Sequence, residues 1–195
     1  MPVAEEFQQV LPGCYVWQAF CCKSKVDLTS HAVVSDGKLY VIDPIRLRKT
    51  AWNELRLLTP QLFAIFLTNG NHERDSAIYQ KEHGVPIYAD SSAMSELSVQ
   101  ARPHTVLNGV EVVSLSGAGP GEVGFHFPEK RLLVLGDILI NLDSFPFALL
   151  PEKYATNPKQ MRESVQRLKT LDVSTICFAH GLPIIAGASG RLAAL

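Results

Sequence analysis

Several apolar segments of this chain end in a polar residue, and this pattern limits the possible folds more than any other feature. LFAIFLT at 62–68 runs into the polar text NGNHERD, RLLVLGD ends in Asp137, and TICFAHG carries His180 after its apolar part. Such apolar runs are typical of buried strands, and sheet proteins place their chemistry at the carboxyl ends of strands. Each polar residue alone could simply form a turn. Together they predict strand ends that converge on one pocket.

The segment LTNGNHERD at 67–75 allows two interpretations. Asn69 and Gly70 after a strand are a signal for a tight hairpin turn. A hairpin needs a second strand, however, and the text that follows has helical spacing from about Glu73 to His83, ended by Gly84. We therefore predict a strand, a polar loop and then a helix.

The rest of the chain mixes hairpins with strand–helix alternation. Asp36 and Gly37 form a turn signal between two apolar runs, and VGFHF and LLVLGD at 123–137 form a second hairpin pattern. RKTAWNELRLL is helical text, and Asn157 with Pro158 marks the start of a later helix. LINLDSFPFALLPEKYA at 139–155 has few regular signals and is predicted as a loop, and the segment after TICFAHG as a tail. These patterns indicate an α/β protein, a four-layer α/β/β/α sandwich of two mixed sheets with outer helices.

Composition favours a single domain over residues 1–195 and excludes several partners. The chain is 47% apolar and 19% charged, which is enough to bury a core, and its net charge of −1 gives no electrostatic footprint for nucleic acid. The start MPVAEEFQQV lacks a basic, apolar leader pattern, and no apolar run is long enough to span a membrane. The four cysteines have no metal-type spacing. We expect a cytoplasmic protein with reduced cysteines.

The chain resembles the metallo-β-lactamase superfamily of hydrolases along nearly its whole length. PGCYVWQ and the hairpin ending in YVIDP are similar to the opening of that family, and LTNGNHERD falls where the family has T-H-x-H-x-D-H. SGAGPGEVGFHFPEKRLLVLGD is similar to the family's G-H-T-P-G, strand hairpin and G-D, and FAHG resembles its P-G-H-G. The resemblance implies the same α/β/β/α sandwich.

The resemblance also implies that most metal ligands are replaced. In the family, five histidines and two aspartates hold two metal ions, usually zinc, for the hydrolysis of esters, thioesters, amides or phosphoesters. The matching positions here, in chain order, hold Asn69, Asn71, Glu73, Arg74, Ala118, Asp137 and His180. Only the aspartate and the last histidine are kept, so we predict that the dinuclear centre is largely lost.

These replacements lead to a hypothesis for the remaining site. The residual catalytic residues are predicted to be Asp137, His180 and Glu73, and no metal or other cofactor is expected to bind tightly. If one zinc ion binds, its candidate ligands are His72, Glu73, Asp137 and His180, although His72 lies one residue out of register. Because a guanidinium is always cationic, Arg74 is predicted to replace the metal charge by pairing with Asp137 and Glu73.

Three functions stay open at this point. The chain could be a hydrolase of a small ester or thioester with an altered site, a noncatalytic protein that binds a metabolite through Arg74, or an interaction protein on the same fold. A small-molecule ligand or substrate is the expected partner, without nucleic acid or membrane. The apolar segment SFPFALLP at 144–151 could serve as a lid or as a contact in a homo-oligomer.

Overall fold

Strands outnumber helices in the computed structural model, which describes residues 1–104 and 109–195. The strands are β1 Val3–Ala4, β2 Gln8–Leu11, β3 Cys14–Cys21, β4 Val26–Ser35, β5 Lys38–Ile42, β6 Arg46–Leu47, β7 Leu62–Phe66, β8 Ile87–Ala89, β9 Arg102–Pro103, β10 Glu111–Ser114, β11 Val123–Phe127, β12 Leu132–Leu135, β13 Leu139–Leu142, β14 Phe145–Leu149 and β15 Thr175–Phe178. The α-helices are α1 Lys49–Leu58, α2 Ser76–His83, α3 Pro158–Val165 and α4 Ala188–Ala193.

The first half of the chain forms a mixed sheet in the order β2-β3-β4-β5-β7-β8-β9. Its β4–β5 hairpin turns at the predicted position, where Asp36 and Gly37 have φ of 48° and 67°, as a tight hairpin turn requires. β5 and β7 run parallel with Ile42 opposite Phe66, so the residues that follow them emerge side by side. This edge of the sheet carries the NGNHERD loop.

The second half forms a four-stranded sheet in the order β10-β11-β12-β15. β12 and β15 are parallel and place Leu135 opposite Phe178. Asp137 and His180 each follow that pair by two residues, so both leave the sheet at the same edge. The predicted convergence of these two strand ends is therefore confirmed.

Three apolar clusters hold the layers together. One lies between the first sheet and helices α1 and α2, and another between the second sheet and helices α3 and α4. The third lies between the two sheets and includes Tyr40 and Phe66 from one sheet and Phe125 and Val134 from the other. The predicted four-layer α/β/β/α sandwich is thus confirmed.

Three local predictions need correction. The segment predicted as a loop contains the antiparallel pair β13–β14, and the predicted tail contains helix α4. Helix α2 begins at Ser76 and not near Glu73, because residues Gly70–His72 form a turn of 3₁₀ helix first. Its end at Gly84, which has a left-handed backbone with φ 67°, is as predicted. Within residues 1–104 and 109–195, no helix has the length and apolar character of a membrane span.

Candidate metal centre

Two imidazoles and a carboxylate meet at the edge where the strand ends converge. His72, Asp137 and His180 each place one possible ligand atom within 4.8 Å of the others. His72 ends the 3₁₀ turn after β7, whereas Asp137 and His180 follow β12 and β15. Both sheets therefore contribute to the cluster.

The imidazole of His72 is held from behind by buried groups. Its Nδ1 lies 3.0 Å from Asp43 Oδ2 and 2.8 Å from Thr68 Oγ1, and the Thr68 hydroxyl itself donates to Asp43 Oδ2 over 2.5 Å. Since the carboxylate can only accept and the hydroxyl proton is already used, Nδ1 must carry a proton. The other nitrogen, Nε2, points towards Asp137 Oδ1 at 3.3 Å.

His180 is oriented in the same way. Its Nδ1 donates to the backbone carbonyl of Asp27 over 3.0 Å, and its Nε2 lies 3.3 Å from Asp137 Oδ1. Histidines that ligate metals are usually anchored through their second nitrogen by a carboxylate or a backbone carbonyl. His72 and His180 both have this anchor, and both direct Nε2 at the same carboxylate oxygen.

The second oxygen of Asp137 belongs to a buried polar network. Asn69 Nδ2 donates to Asp137 Oδ2 over 3.0 Å and to Glu122 Oε2 over 2.7 Å. Glu122 is 2% exposed, and its Oε1 accepts from the backbone amide of Ile138 over 3.0 Å. The Asn69 amide thus joins two carboxyl groups.

Burial disfavours the charged forms of the acids and imidazoles at this site, and neighbouring charges shift their pKa values as well. Burial penalises the charge of Asp137, but His72 and His180 hold the pKa of the Asp137 carboxyl well below its ordinary value. Burial likewise disfavours a charged His72, yet Asp137 and Asp43 raise the pKa of its imidazole to about 9. Burial, together with the charge of Asp137, raises the pKa of the Glu122 carboxyl to about 8. These shifts favour the charged forms of His72 and Asp137 and the neutral form of the neighbouring Glu122.

Glu73 and Arg74 lie outside the cluster, in contrast to the prediction. The Glu73 carboxylate accepts from the Ser98 amide and hydroxyl, each over 2.5 Å, because the 3₁₀ turn directs it towards the segment after residue 96. Arg74 has a left-handed backbone with φ 46°. Its Nη1 donates to the carbonyls of Thr29 and Asp43 and its Nη2 to that of Ala179, over 2.5, 2.9 and 3.4 Å. Among the described residues, the predicted pairing of Arg74 with Asp137 and Glu73 is therefore replaced by contacts with backbone carbonyls.

The remaining positions of the motif provide no imidazole. Asn69 is buried and Asn71 is exposed, and the backbone amide of Asn71 donates to Asn69 Oδ1 over 2.9 Å. Ala118 is 1% exposed and packs in the cluster beneath α3 and α4. Among the described residues, His72, Asp137 and His180 are the one cluster of three or more metal-ligating side chains.

Two buried acids of the site, Asp43 and Glu122, were not predicted from the sequence. Asp43 directly follows the apolar strand text YVI, so it has the same pattern of a polar residue after an apolar strand that marked Asp137. Glu122 lies in the glycine-rich turn and carries no comparable signal. Its burial follows from the approach of the turn to Gly136, where an added Cβ would lie 2.6 Å from Glu122 Oε1 and 2.7 Å from Thr68 Oγ1.

Nearly the whole chain matches one protein family. A family model described as the metallo-beta-lactamase superfamily matches residues 9–195. The chain belongs to this superfamily, as the resemblance implied, and it is hydrolase-like with a partial triad of two histidines and one aspartate. A search of curated protein sequences gives no significant match.

Solved structures of the same class share the fold. A metallo-beta-lactamase from Erythrobacter litoralis, crystallised with beta-mercaptoethanol in its active site, is 18% identical with a TM-score of 0.75 over 97% of this chain and 94% of that one. One from Pontibacter korlensis is 13% identical with a TM-score of 0.69 over 97% and 99%. A metallo-beta-lactamase family protein from Thermus thermophilus is 16% identical with a TM-score of 0.65 over 95% and 79%. At these identities the likeness shows the fold and no more.

Proposed function

We propose that this chain is a hydrolase-like metalloprotein that holds one divalent ion, preferably zinc, on His72, Asp137 and His180. The observation that carries the proposal is the orientation of the two imidazoles. Each is anchored through Nδ1 to a protein acceptor, and each turns Nε2 towards Asp137 Oδ1 at 3.3 Å. Two imidazoles and a carboxylate with one open position are a donor set typical of catalytic zinc sites.

The residues at the other motif positions argue against a second ion. The family's second position would need the imidazoles that Asn69, Asn71 and Ala118 replace, and an amide oxygen is a weak ligand for zinc. Glu73, predicted as a ligand, is bound to Ser98 instead. The centre is therefore proposed as mononuclear, with Asp137 as its only carboxylate ligand.

The exposure of the ligands suggests the side from which a substrate would approach. The side chain of His72 is 5% exposed, whereas those of Asp137 and His180 are 13% and 14% exposed. A zinc ion bound here would act as a Lewis acid that polarises the carbonyl of a small ester or thioester. Behind it, Asp43 and the Asp27 carbonyl would hold the two imidazoles in one tautomer.

Zinc stoichiometry tests the proposal. The full chain, stripped with a chelator and titrated with zinc in a calorimeter, is expected to bind one equivalent. Asp137→Asn and His180→Gln should each weaken binding by at least about tenfold, because outer-sphere changes alone typically cost 10- to 100-fold. His72→Gln should do the same.

Glu73→Gln is the matched control. It removes a carboxylate at a position where sequence reasoning predicts a ligand and the structure has none, so zinc affinity should stay within error of the unchanged chain. Two equivalents of zinc, no zinc, or a loss of zinc in Glu73→Gln as large as in Asp137→Asn would each contradict the proposal.

A second candidate is a noncatalytic protein in which His72 is the internal cation. It is favoured by the position of the His72 ring between Asp43 and Asp137, whose carboxylates lie 3.0 and 3.3 Å from its two nitrogens. In that case the wild-type chain binds no zinc, and ester or thioester hydrolysis is absent with or without the ion. Recognition of an anion by Arg74 gains no support, because both Nη atoms already donate to backbone carbonyls.

A further inference from the structure

The guanidinium of Arg74 binds backbone carbonyls that come from three separate segments of the chain. They belong to Thr29 in β4, to Asp43 after β5 and to Ala179 after β15, at 2.5, 2.9 and 3.4 Å. In the part of the chain that the structure describes, no carboxylate forms an ion pair with this guanidinium. Since a guanidinium stays protonated in proteins, the three carbonyl dipoles stabilise its charge.

Two of these carbonyls belong to residues that position the proposed histidine ligands. Asp43 holds the His72 ring through its side chain, with Oδ2 3.0 Å from Nδ1 of the imidazole. Ala179 directly precedes His180 in the chain. Arg74 therefore binds the backbone of the residue behind one imidazole and the backbone next to the other.

The third carbonyl extends this connection to the segment around His180. The Thr29 amide donates to the Ala179 carbonyl over 2.9 Å, and the Thr29 hydroxyl donates to the Gly181 carbonyl over 3.4 Å. Asp27, whose carbonyl accepts from His180 Nδ1, lies two residues before Thr29 on the same strand. A shift of the guanidinium would therefore move the backbone on both sides of His180 and the group that anchors its ring.

A planar group with several donors suits this position better than a single cation. The Asp43 carbonyl accepts from Ser30 Oγ over 2.6 Å as well as from Arg74, and the Ala179 carbonyl accepts from the Thr29 amide as well. Two donors on each carbonyl fix its direction, because they occupy both acceptor positions of the oxygen. A lysine ammonium is a single point on a flexible stem and cannot replace the donors of a guanidinium in their fixed plane.

We propose that Arg74 is a positioning residue, which holds the groups that direct His72 and His180 at one ion and does not contact the ion itself. The inference rests on the proposed function, because it concerns the same ion. Loss of the planar donor group should weaken zinc binding by more than the accompanying loss of stability explains. The orientation of the two imidazoles can also be measured without zinc.

The test is Arg74→Lys, which keeps the charge but removes the planar donor group. Zinc affinity of the chelator-stripped full chain, measured by calorimetry, should fall about 10- to 100-fold, the usual effect of changing groups behind metal ligands. In the stripped chain, the Nδ1 protons of His72 and His180 should give NMR signals that exchange slowly with solvent, because both donate to protein acceptors. Arg74→Lys should shift both signals and speed their exchange.

A second variant keeps the test valid if a lysine at this position prevents folding. Arg74→Gln removes the charge and keeps a planar amide. It should also weaken zinc binding and change the imidazole signals, because its two N–H bonds cannot serve three carbonyls.

Two control variants separate positioning from a loss of stability. Arg131 also has a left-handed backbone, with φ 47°, and its side chain donates to Asp172 at the opposite end of β12 from Asp137. Arg131→Lys should leave zinc affinity and the imidazole signals unchanged. Leu55→Ala truncates a fully buried side chain in the cluster between the first sheet and helices α1 and α2. It should lower the free energy of unfolding and leave zinc affinity within error of the unchanged chain.

Three results would overturn the inference. They are a folded Arg74 variant whose zinc affinity and imidazole signals match those of the unchanged chain, an equal effect of Arg131→Lys, and an equal loss of zinc affinity in Leu55→Ala. The zinc-free NMR measurement separates the two proposals. No zinc in the unchanged chain contradicts the proposed function, and the imidazole signals then decide the role of Arg74. One zinc in the unchanged chain, with no effect of either Arg74 substitution, contradicts only the role of Arg74.

Discussion

His104 packs edge-on against Phe66 and Phe125, with ring centroids 6.0 and 5.3 Å away. Burial lowers the pKa of its imidazole from 6.5 to about 4. The unfolded chain therefore takes up a proton near pH 6.5, whereas the folded chain does so only near pH 4. The contribution of the neutral ring to stability is complete above the first value and is lost as the pH falls towards the second.

This shift predicts that the folded chain loses stability as the pH falls and that one substitution should reduce the loss. His104→Phe keeps an aromatic ring and cannot titrate, so between neutral pH and about pH 5 it should lose about 1–2 kcal/mol less stability than the unchanged chain. Urea unfolding followed by circular dichroism at the two pH values measures the difference. His31, whose pKa burial lowers to about 3, stays in both proteins, so some acid sensitivity should remain. Equal losses of unfolding free energy in the two proteins between these pH values would show that His104 is not the source of the acid sensitivity.

At the scale of residues, the positions of some site residues could be predicted from the sequence, whereas the directions of other side chains could not. Asp137 and His180 could be placed because each follows a buried apolar strand, and apolar text reveals such strands. The directions of Glu73 and Arg74 could not be predicted. They depend on a 3₁₀ turn and on the left-handed backbone of Arg74, which its sequence neighbours do not signal.

At the scale of elements, Gly181 sets the position of the segment that carries His180. Its φ is 106°, and an added Cβ would lie 2.0 Å from the carbonyl oxygen of Asn141. That segment is fixed on both sides, since the Asn141 amide donates to the His180 carbonyl and Gln18 Nε2 donates to the Gly181 carbonyl. A side chain at Gly181 must therefore push β13 away from His180.

Two alanine substitutions separate this clash from backbone strain. Gly187 also has a positive φ, 71°, but an added Cβ would meet nothing within 4 Å. Gly187→Ala should cost about 1–2 kcal/mol, the penalty of a left-handed backbone, and leave zinc affinity unchanged. Gly181→Ala should cost a further 1–3 kcal/mol, roughly the penalty of overpacking, and should weaken zinc binding. Chemical denaturation and zinc titration measure both, and equal effects of the two substitutions would show that the contact with Asn141 is unimportant.

The elements that sequence reasoning missed share a physical cause. Strand β14 contains Pro146 and is half-exposed, so it shows neither the apolar run of a buried strand nor clear alternation. Helix α4 covers six residues, too few for a periodic pattern to be recognised. Its two buried residues, Ala188 and Leu192, are held by packing against the second sheet, which is a tertiary effect.

At the scale of the whole molecule, aromatic stacking joins the two sheets. The ring of Phe66 stacks on Tyr40 at 4.9 Å and on Phe125 at 4.8 Å, with interplanar angles of 17° and 18°. Tyr40 and Phe66 belong to the first sheet and Phe125 to the second. Because this core is shared, we expect the predicted single domain to unfold in one cooperative transition.

Truncation of the central ring tests this expectation. Phe66→Ala should destabilise the chain by about 3–5 kcal/mol through lost contacts and a cavity. Phe63→Ala, on the same strand but 38% exposed, should cost clearly less. Urea unfolding monitored by tryptophan fluorescence, which reports on the first sheet, and by circular dichroism, which reports on both, should give coincident curves. Separate transitions in the unchanged chain would contradict a shared core.

The anchoring of His180 links the two halves of the chain. Its ring is carried by the second sheet, but the carbonyl that fixes it belongs to Asp27 in β4 of the first. His72 comes from the first half of the chain and Asp137 from the second, so a bound ion would connect the two halves. The free energy of ion binding would then stabilise the packing of those halves against each other. His72 lies between Asp43 from the first half of the chain and Asp137 from the second, 3.0 and 3.3 Å from their carboxylates, so the same ring would connect the two halves by hydrogen bonds when it carries a proton in place of an ion.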